Sequence, residues 1–232
     1  MLTFVKMPRD PFLDADHFLN HLRWQGGGRG STGAAALMLY LALLHNANVK
    51  PTWDRPEAGR ASLTYSDLRS ITGCSRLKVQ DGLQCLKDFD LIRSITDGVR
   101  RSQYAITDFG KNQFAMMPCR GIYDEKLRYI PAFHSASLRS RHTLNGMKLY
   151  FYFGVMRDGT DNLAHITHRK MQEELRLRPR DISPAIRLLE ELDLVTTHAE
   201  RYDESPHIHH AYRLRGVEPR KHKGTTGKTA LG

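Results

Sequence analysis

Two short stretches concentrate side chains able to read a flat, hydrogen-bonding surface. The first holds Ser75, Arg76, Lys78, Gln80 and Gln84, and the second Arg178, Arg180, Ser183 and Arg187. A guanidinium offers paired donors and a carboxamide a donor beside an acceptor, patterns that fit the guanine and adenine edges of a base pair. Ammonium and hydroxyl groups suit either a base or a phosphate oxygen. Arg100 and Arg101 follow the tight-turn dipeptide Asp97-Gly98, while Lys221 and Lys223 lie in a terminal run with Arg220 and Lys228 against Glu218 alone. Cations on a turn or a flexible arm suit phosphates, which carry charge without base identity.

Other chemistries in the chain are incomplete. The run GTTGKT at 224–229 resembles part of a phosphate-binding loop, but that pattern needs a glycine where His222 stands and a helix after it. His165, His168, His207, His209 and His210 could supply imidazoles, yet no cysteine or carboxylate completes a coordination shell at a recognised spacing. Neither a metal nor another cofactor is therefore expected. With no nucleophile–base arrangement and no paired carboxylates, the chain reads as a non-enzyme, and no small-molecule ligand is evident. Cys74, Cys85 and Cys119 are odd in number and lack CxxC spacing, which suits reduced thiols in the cytoplasm. The apolar run at 33–44 is shorter than the ~20 residues that span a bilayer and reads as a buried helix, and no secretory leader is expected. With 232 residues, 40% of them hydrophobic and 26% charged, there is material for two domains of about a hundred residues. The formal charge of +10 points to polyanionic partners, of which nucleic acid is the commonest.

The elements that must position these residues occur twice. LTYSDLRSITGCSRLKVQDGLQCLKDFDLIRS, starting at Leu63, lies over ITHRKMQEELRLRPRDISPAIRLLEELDLVTT, starting at Ile166, without a gap and at a constant offset of 103. Upstream, apolar helices over 32–45 and 144–157 align Tyr40 with Tyr150 at an offset of 110. The seven-residue difference falls in NVKPTWDRPEAGRA, where Pro51, Pro56 and Gly59 mark a surface loop. Thr64 and Thr167 are N-caps of short helices holding Leu68 and Ile71, or Met171 and Leu175. Ser75 caps the next helix, in which Val79, Leu83 and Leu86 form one apolar stripe, repeated by Ile182, Ile186 and Leu189. Pro184 predicts that the second copy of this helix is distorted or starts late, at Ser183. Strands then follow over 91–96 and 102–107, and over 194–199 and 207–213 around the tip RYDESP, whose Asp203 and Glu204 argue against DNA contact there.

A helix-turn-helix followed by a β-hairpin resembles the winged-helix superfamily, over residues 31–107 and 143–215. The phrases SDLRSITGCSRLKVQDGLQCLKDFDLI and AIRLLEELDLV carry the likeness, each ending in an acidic-then-Leu turn into the hairpin. Two α/α hairpin repeats would explain the helices but not the strands. The resemblance implies a mainly α fold with small β-hairpin wings: two winged helix-turn-helix domains in tandem, at 31–115 and 143–216. Around them lie an N-terminal amphipathic segment with a Gly-rich linker (1–30), an interdomain linker (116–142) and a basic flexible tail (217–232). Within the first segment, Phe12, Ala15, Phe18, Leu19 and Leu22 form an apolar stripe that suits either packing on its own module or a homodimer surface. The implied function is sequence-specific binding of double-stranded DNA. Breadth of the superfamily places a transcriptional regulator first and a plasmid or mobile-element replication initiator second, by analogy. A winged-helix protein-interaction scaffold is the further alternative, and the basic helix starts weigh against it.

Overall fold

The computed structural model describes residues 4–13, 17–24, 29–95, 102–110, 113–201 and 208–217. The fold is mainly helical with small antiparallel sheets. The chain opens with β1 (Phe4–Pro8), a 3-10 turn at Asp10–Phe12 and a single turn of helix, α1 (Phe18–His21). The first copy follows as α2 (Arg29–Asn46), β2 (Arg60–Ser62), α3 (Tyr65–Thr72), α4 (Arg76–Asp88), β3 (Ile92–Ile95) and β4 (Gln103–Ile106). β5 (Phe114–Pro118) and α5 (Pro131–Ser135) lead to the second copy: α6 (Arg141–Met156), β6 (Ala164–His165), α7 (His168–Leu175), α8 (Pro179–Glu191), β7 (Val195–Arg201) and β8 (Ile208–Leu214).

The repeat holds down to strand register. The sheets run β2-β4-β3 and β6-β8-β7, with Tyr104 between Ala61 and Ser94, and Tyr212 between Ala164 and Thr197. Ala61 and Ala164, like Ser94 and Thr197, are 103 residues apart. The helix-to-strand corner also repeats: Asp90 and Asp193 both take the left-handed conformation, φ 52 and 54, which Asp tolerates better than most side chains. β2 and β6 were not foreseen, because two or three residues carry no usable alternation.

Helices α2 and α6 form the centre. They pack side by side in the same direction, since Gly33 lies against Leu144 and Tyr40 against Phe151. Neighbours on several sides explain why both are buried over nearly their whole length. α4 crosses α2 and α8 crosses α6 through small residues. A Cβ on Gly82 would meet Leu39 Cδ1 at 2.6 Å and the Ala36 nitrogen at 3.1 Å, and in copy two Gly146 approaches the Ala185 carbonyl. Gly82 aligns with Ala185 and Ala36 with Gly146, so the glycine has changed helices while the contact has kept one Gly and one Ala.

The segments outside the copies bind them together. The apolar stripe of residues 1–30 is split between the 3-10 turn and α1, and it packs within the chain: Phe12 stacks on Phe151 at 5.4 Å and lies beside Tyr40, so it touches both central helices. Phe18, Leu19 and Leu22 are buried, while Ala15 lies outside the described residues. The Gly-rich run reads differently at its end, because α2 starts at Arg29 and takes Gly30 and Gly33 into the helix. The expected interdomain linker holds the end of β5, which pairs with β1, and α5, which folds back on α3 through Ile130 N–H to the Ile71 carbonyl. At the C-terminus of α2, buried His45 donates from Nε2 to the Pro118 carbonyl and accepts at Nδ1 from the Tyr123 hydroxyl. Burial pushes its pKa down to about 3, so it is neutral.

One expectation is corrected. α8 begins at Pro179 and carries Pro184 inside it, with no late start at Ser183. An interior proline costs roughly 3 kcal/mol. Burying Ile182, Ile186 and Leu189 against the core contributes roughly 1.5–3 kcal/mol each, which outweighs it.

Candidate nucleic-acid interface

Local chemistry sets where each second helix starts. Thr64 caps α3 in a reciprocal box with Asp67, and Gly73 ends it in the left-handed conformation. Ser75 then caps α4, its hydroxyl accepting from the Lys78 N–H at 3.3 Å. In copy two Thr167 caps α7 through the Lys170 N–H, Arg176 takes the left-handed position of Gly73, and Arg178 stands at the N-cap of α8 without a side-chain cap bond.

The expected contact residues separate into two groups. Arg76, Gln80 and Gln84 are exposed and follow one another at four-residue spacing along α4, ending at Asp88, whose carboxylate accepts from Gln84 Nε2 at 2.7 Å. Ser183 and Arg187 occupy the places of Gln80 and Gln84, and with Arg180 they lie on α8 within about 60° of arc, all exposed. Lys78 is turned away into a groove against α2, where Nζ lies 3.3 Å from Thr32 Oγ1 and 3.7 Å from Asp81. Arg178 binds Asp181 at 2.8 Å. Ser75 is committed as an acceptor to its cap. Arg100 and Arg101 at the first hairpin, the RYDESP tip beyond Arg201, and Lys221 and Lys223 lie outside the described residues.

Both second helices flank one stretch of chain. Residues His21, Leu22, Arg23 and Arg29 line a groove with Lys78, Asp81, Gln84 and Phe89 of the α4 side, and Leu22, Arg23 and Trp24 line a pocket with Arg178 and Asp181 of α8. The stretch is pinned from both directions. Phe18 and His21 pack on Phe89 at 5.1 Å each, and His17 donates from Nε2 to the Glu174 carbonyl at the end of α7. The basic starts of α4 and α8 therefore share a neighbour that is itself basic.

Sequence reasoning missed several residues on this side. Leu77, 63% exposed between Arg76 and Lys78, has the apolar chemistry of a thymine methyl contact and stands where copy two has Arg180. Arg23, Arg29 and Arg141 were missed because the chain path that gathers them is long-range. An apolar residue off the helix stripe was the available signal for Leu77.

Among the described residues the alternative chemistries find no assembly. Among the described residues no group of three potential ligands could hold a metal ion. His165 pairs with Asp161 at 2.6 Å, and His168 stacks near His210 with centroids 6.3 Å apart. The three cysteines are free, and burial pushes the Cys85 thiol up to about 11 and that of Cys119 to about 12, opposite to what a reactive thiolate needs. No described helix is long and apolar enough to cross a membrane. No protein-family model matches the chain, and no curated protein matches it either.

Proposed function

We propose that this chain is a non-enzymatic, sequence-specific double-stranded DNA-binding protein built from two winged-helix modules, working as a transcriptional regulator. The observation that carries the reading is the common basic neighbourhood of α4 and α8. Each is the second helix of a helix-turn-helix pair, each exposes a row of guanidinium, carboxamide or hydroxyl groups at its start, and Arg23 lines the hollows beside both. The topology of each copy, with three strands ordered so that the last two form a hairpin beyond the second helix, supports the winged-helix assignment. In this reading Arg76, Gln80, Gln84, Arg180, Ser183 and Arg187 face base edges, Leu77 meets a thymine methyl, and Arg100, Arg101, Lys221 and Lys223 meet phosphates.

The test is selection of bound duplexes from a random pool, followed by Arg76→Ala and Arg180→Ala on the selected site. Each variant should weaken cognate binding by roughly 1–3 kcal/mol while leaving random-duplex affinity nearly unchanged. An unenriched pool, or variants that lose cognate and random affinity equally, would refute base reading by these helices. The selected sequence also separates regulator from initiator, since iterated sites at an origin point to replication and a promoter overlap to regulation.

A further inference from the structure

A basic pocket lies between the N-terminal segment and the second copy. It measures about 220 Å³, and its polar lining is Arg23, Arg141, Asn145, Lys148, Arg176, Arg178 and Asp181. Its lining therefore holds five basic side chains against one carboxylate. Asp181, nearly buried, takes Arg178 on one oxygen at 2.8 Å and Arg141 on the other at 3.4 Å, fixing both guanidiniums at the pocket wall. Lys148 is only 2% exposed and gives two of its three ammonium protons to the Leu22 and Leu175 carbonyls, at 3.1 and 2.8 Å. The Asn145 amide, 7% exposed, also lines the pocket.

The internal repeat makes this arrangement informative. Arg141, Asn145, Lys148, Arg176 and Arg178 align with Ser31, Ala35, Met38, Gly73 and Ser75, all of them neutral. Two of the changes work against stability. Lys148 buries an ammonium where copy one has a methionine, and Arg176 holds φ 51 where copy one has glycine, a conformation that L side chains occupy at a cost. Five polar or charged residues thus surround one hollow, two of them at positions that cost the fold, where copy one has neutral side chains throughout.

We propose that this pocket binds a phosphate group, gripped by the Arg141 and Arg178 guanidiniums, the Lys148 ammonium and the Asn145 amide, with Arg23 and Arg176 supplying further positive charge. Its volume is below the ~300–1,000 Å³ of sites for drug-sized ligands, so it suits a phosphate with a short ester arm rather than a whole nucleotide. The phosphate can come from a duplex backbone or from solution. The inference stands apart from the DNA reading, because inorganic phosphate tests it without DNA.

The experiment compares thermal unfolding of the full chain in potassium phosphate and potassium chloride at equal ionic strength and pH. At ten times Kd, phosphate should raise the wild-type midpoint by about 3–6 °C over chloride. Arg176→Gly with Arg178→Ser, which restores the residues of copy one, should remove that excess, and Asn145→Ala should reduce it if the double variant does not fold. Where the excess appears, duplex titrations decide the source: phosphate competing with duplex in the wild type but not in the variant indicates a backbone phosphate, and duplex affinity unchanged in the variant indicates a free one. A wild-type midpoint no higher in phosphate than in chloride, or an excess that survives intact in the variants, overturns the proposal.

Discussion

Replacing Lys148 by the methionine that copy one carries at Met38 should change how stability depends on pH more than it changes stability at any one pH. In the folded chain, burial first, and then the nearby Arg23 and Arg176 guanidiniums, push the Lys148 ammonium down from 10.5 to about 7. A cation whose folded pKa is lowered binds its proton more weakly than in the unfolded chain. Between about pH 7 and 10.5 the unfolded chain therefore holds a proton that the folded chain has released, and stability rises with pH at up to about 1.4 kcal/mol per unit. Over the whole window this amounts to about 5 kcal/mol. Below pH 7 both states are protonated and the wild type carries the full cost of the buried charge. The variant lacks this slope but leaves the Leu22 and Leu175 carbonyls without their donor, a loss of about 1 kcal/mol each. Lys148→Met should thus gain on the wild type at pH 7 and below and lose ground steadily as pH rises. Urea unfolding followed by tryptophan fluorescence between pH 7 and 9, without phosphate, should show the difference between the two proteins moving by about 2 kcal/mol against Lys148→Met. Parallel stability curves would show that Lys148 is ordinarily ionised in the fold and that its burial costs little.

Further outcomes follow from packing and charge. Gly82→Ala should cost about 1–2 kcal/mol in urea unfolding, because its Cβ would press on Leu39 and Ala36, and Ala36→Gly in the same chain should recover at least about 0.5 kcal/mol by recreating the Gly146–Ala185 arrangement. Truncation of residues 1–24 should abolish cooperative unfolding, since it removes Val5, Met7, Phe12, Phe18, Leu19 and Leu22 from the core; a folded truncated chain that self-associates less would instead restore the homodimer reading of the stripe. Neutralising Arg100 and Arg101, or Lys221 and Lys223, should weaken cognate and random duplexes alike and flatten the plot of log affinity against log salt by about 0.9 per lost phosphate contact. A changed cognate-to-random ratio with an intact salt slope would mean that those residues read bases or groove shape.

The features legible in the sequence are those decided within a turn or two of chain. The cap at Thr64, the cap at Ser75, the stripe Val79–Leu83–Leu86 and the turn at Asp90 each follow from contacts between residues at most seven apart, and the internal repeat multiplied their weight. Arg76, Gln80, Gln84 and Arg187 could be placed on exposed helix faces for the same reason. What tertiary structure decided depends on partners distant in sequence. Pro184 argues locally for a late helix start, and only the apolar contacts of α8 with α6 override it. β2 and β6 are too short to show a period and exist because β4 and β8 offer them an edge. Lys78 and Arg178 looked like free cations until folding brought Thr32 and Asp181 to them. The pocket around Lys148 combines the N-terminal segment, α6 and the α7–α8 turn, and a residue's neighbours 126 positions away leave no mark in its local pattern.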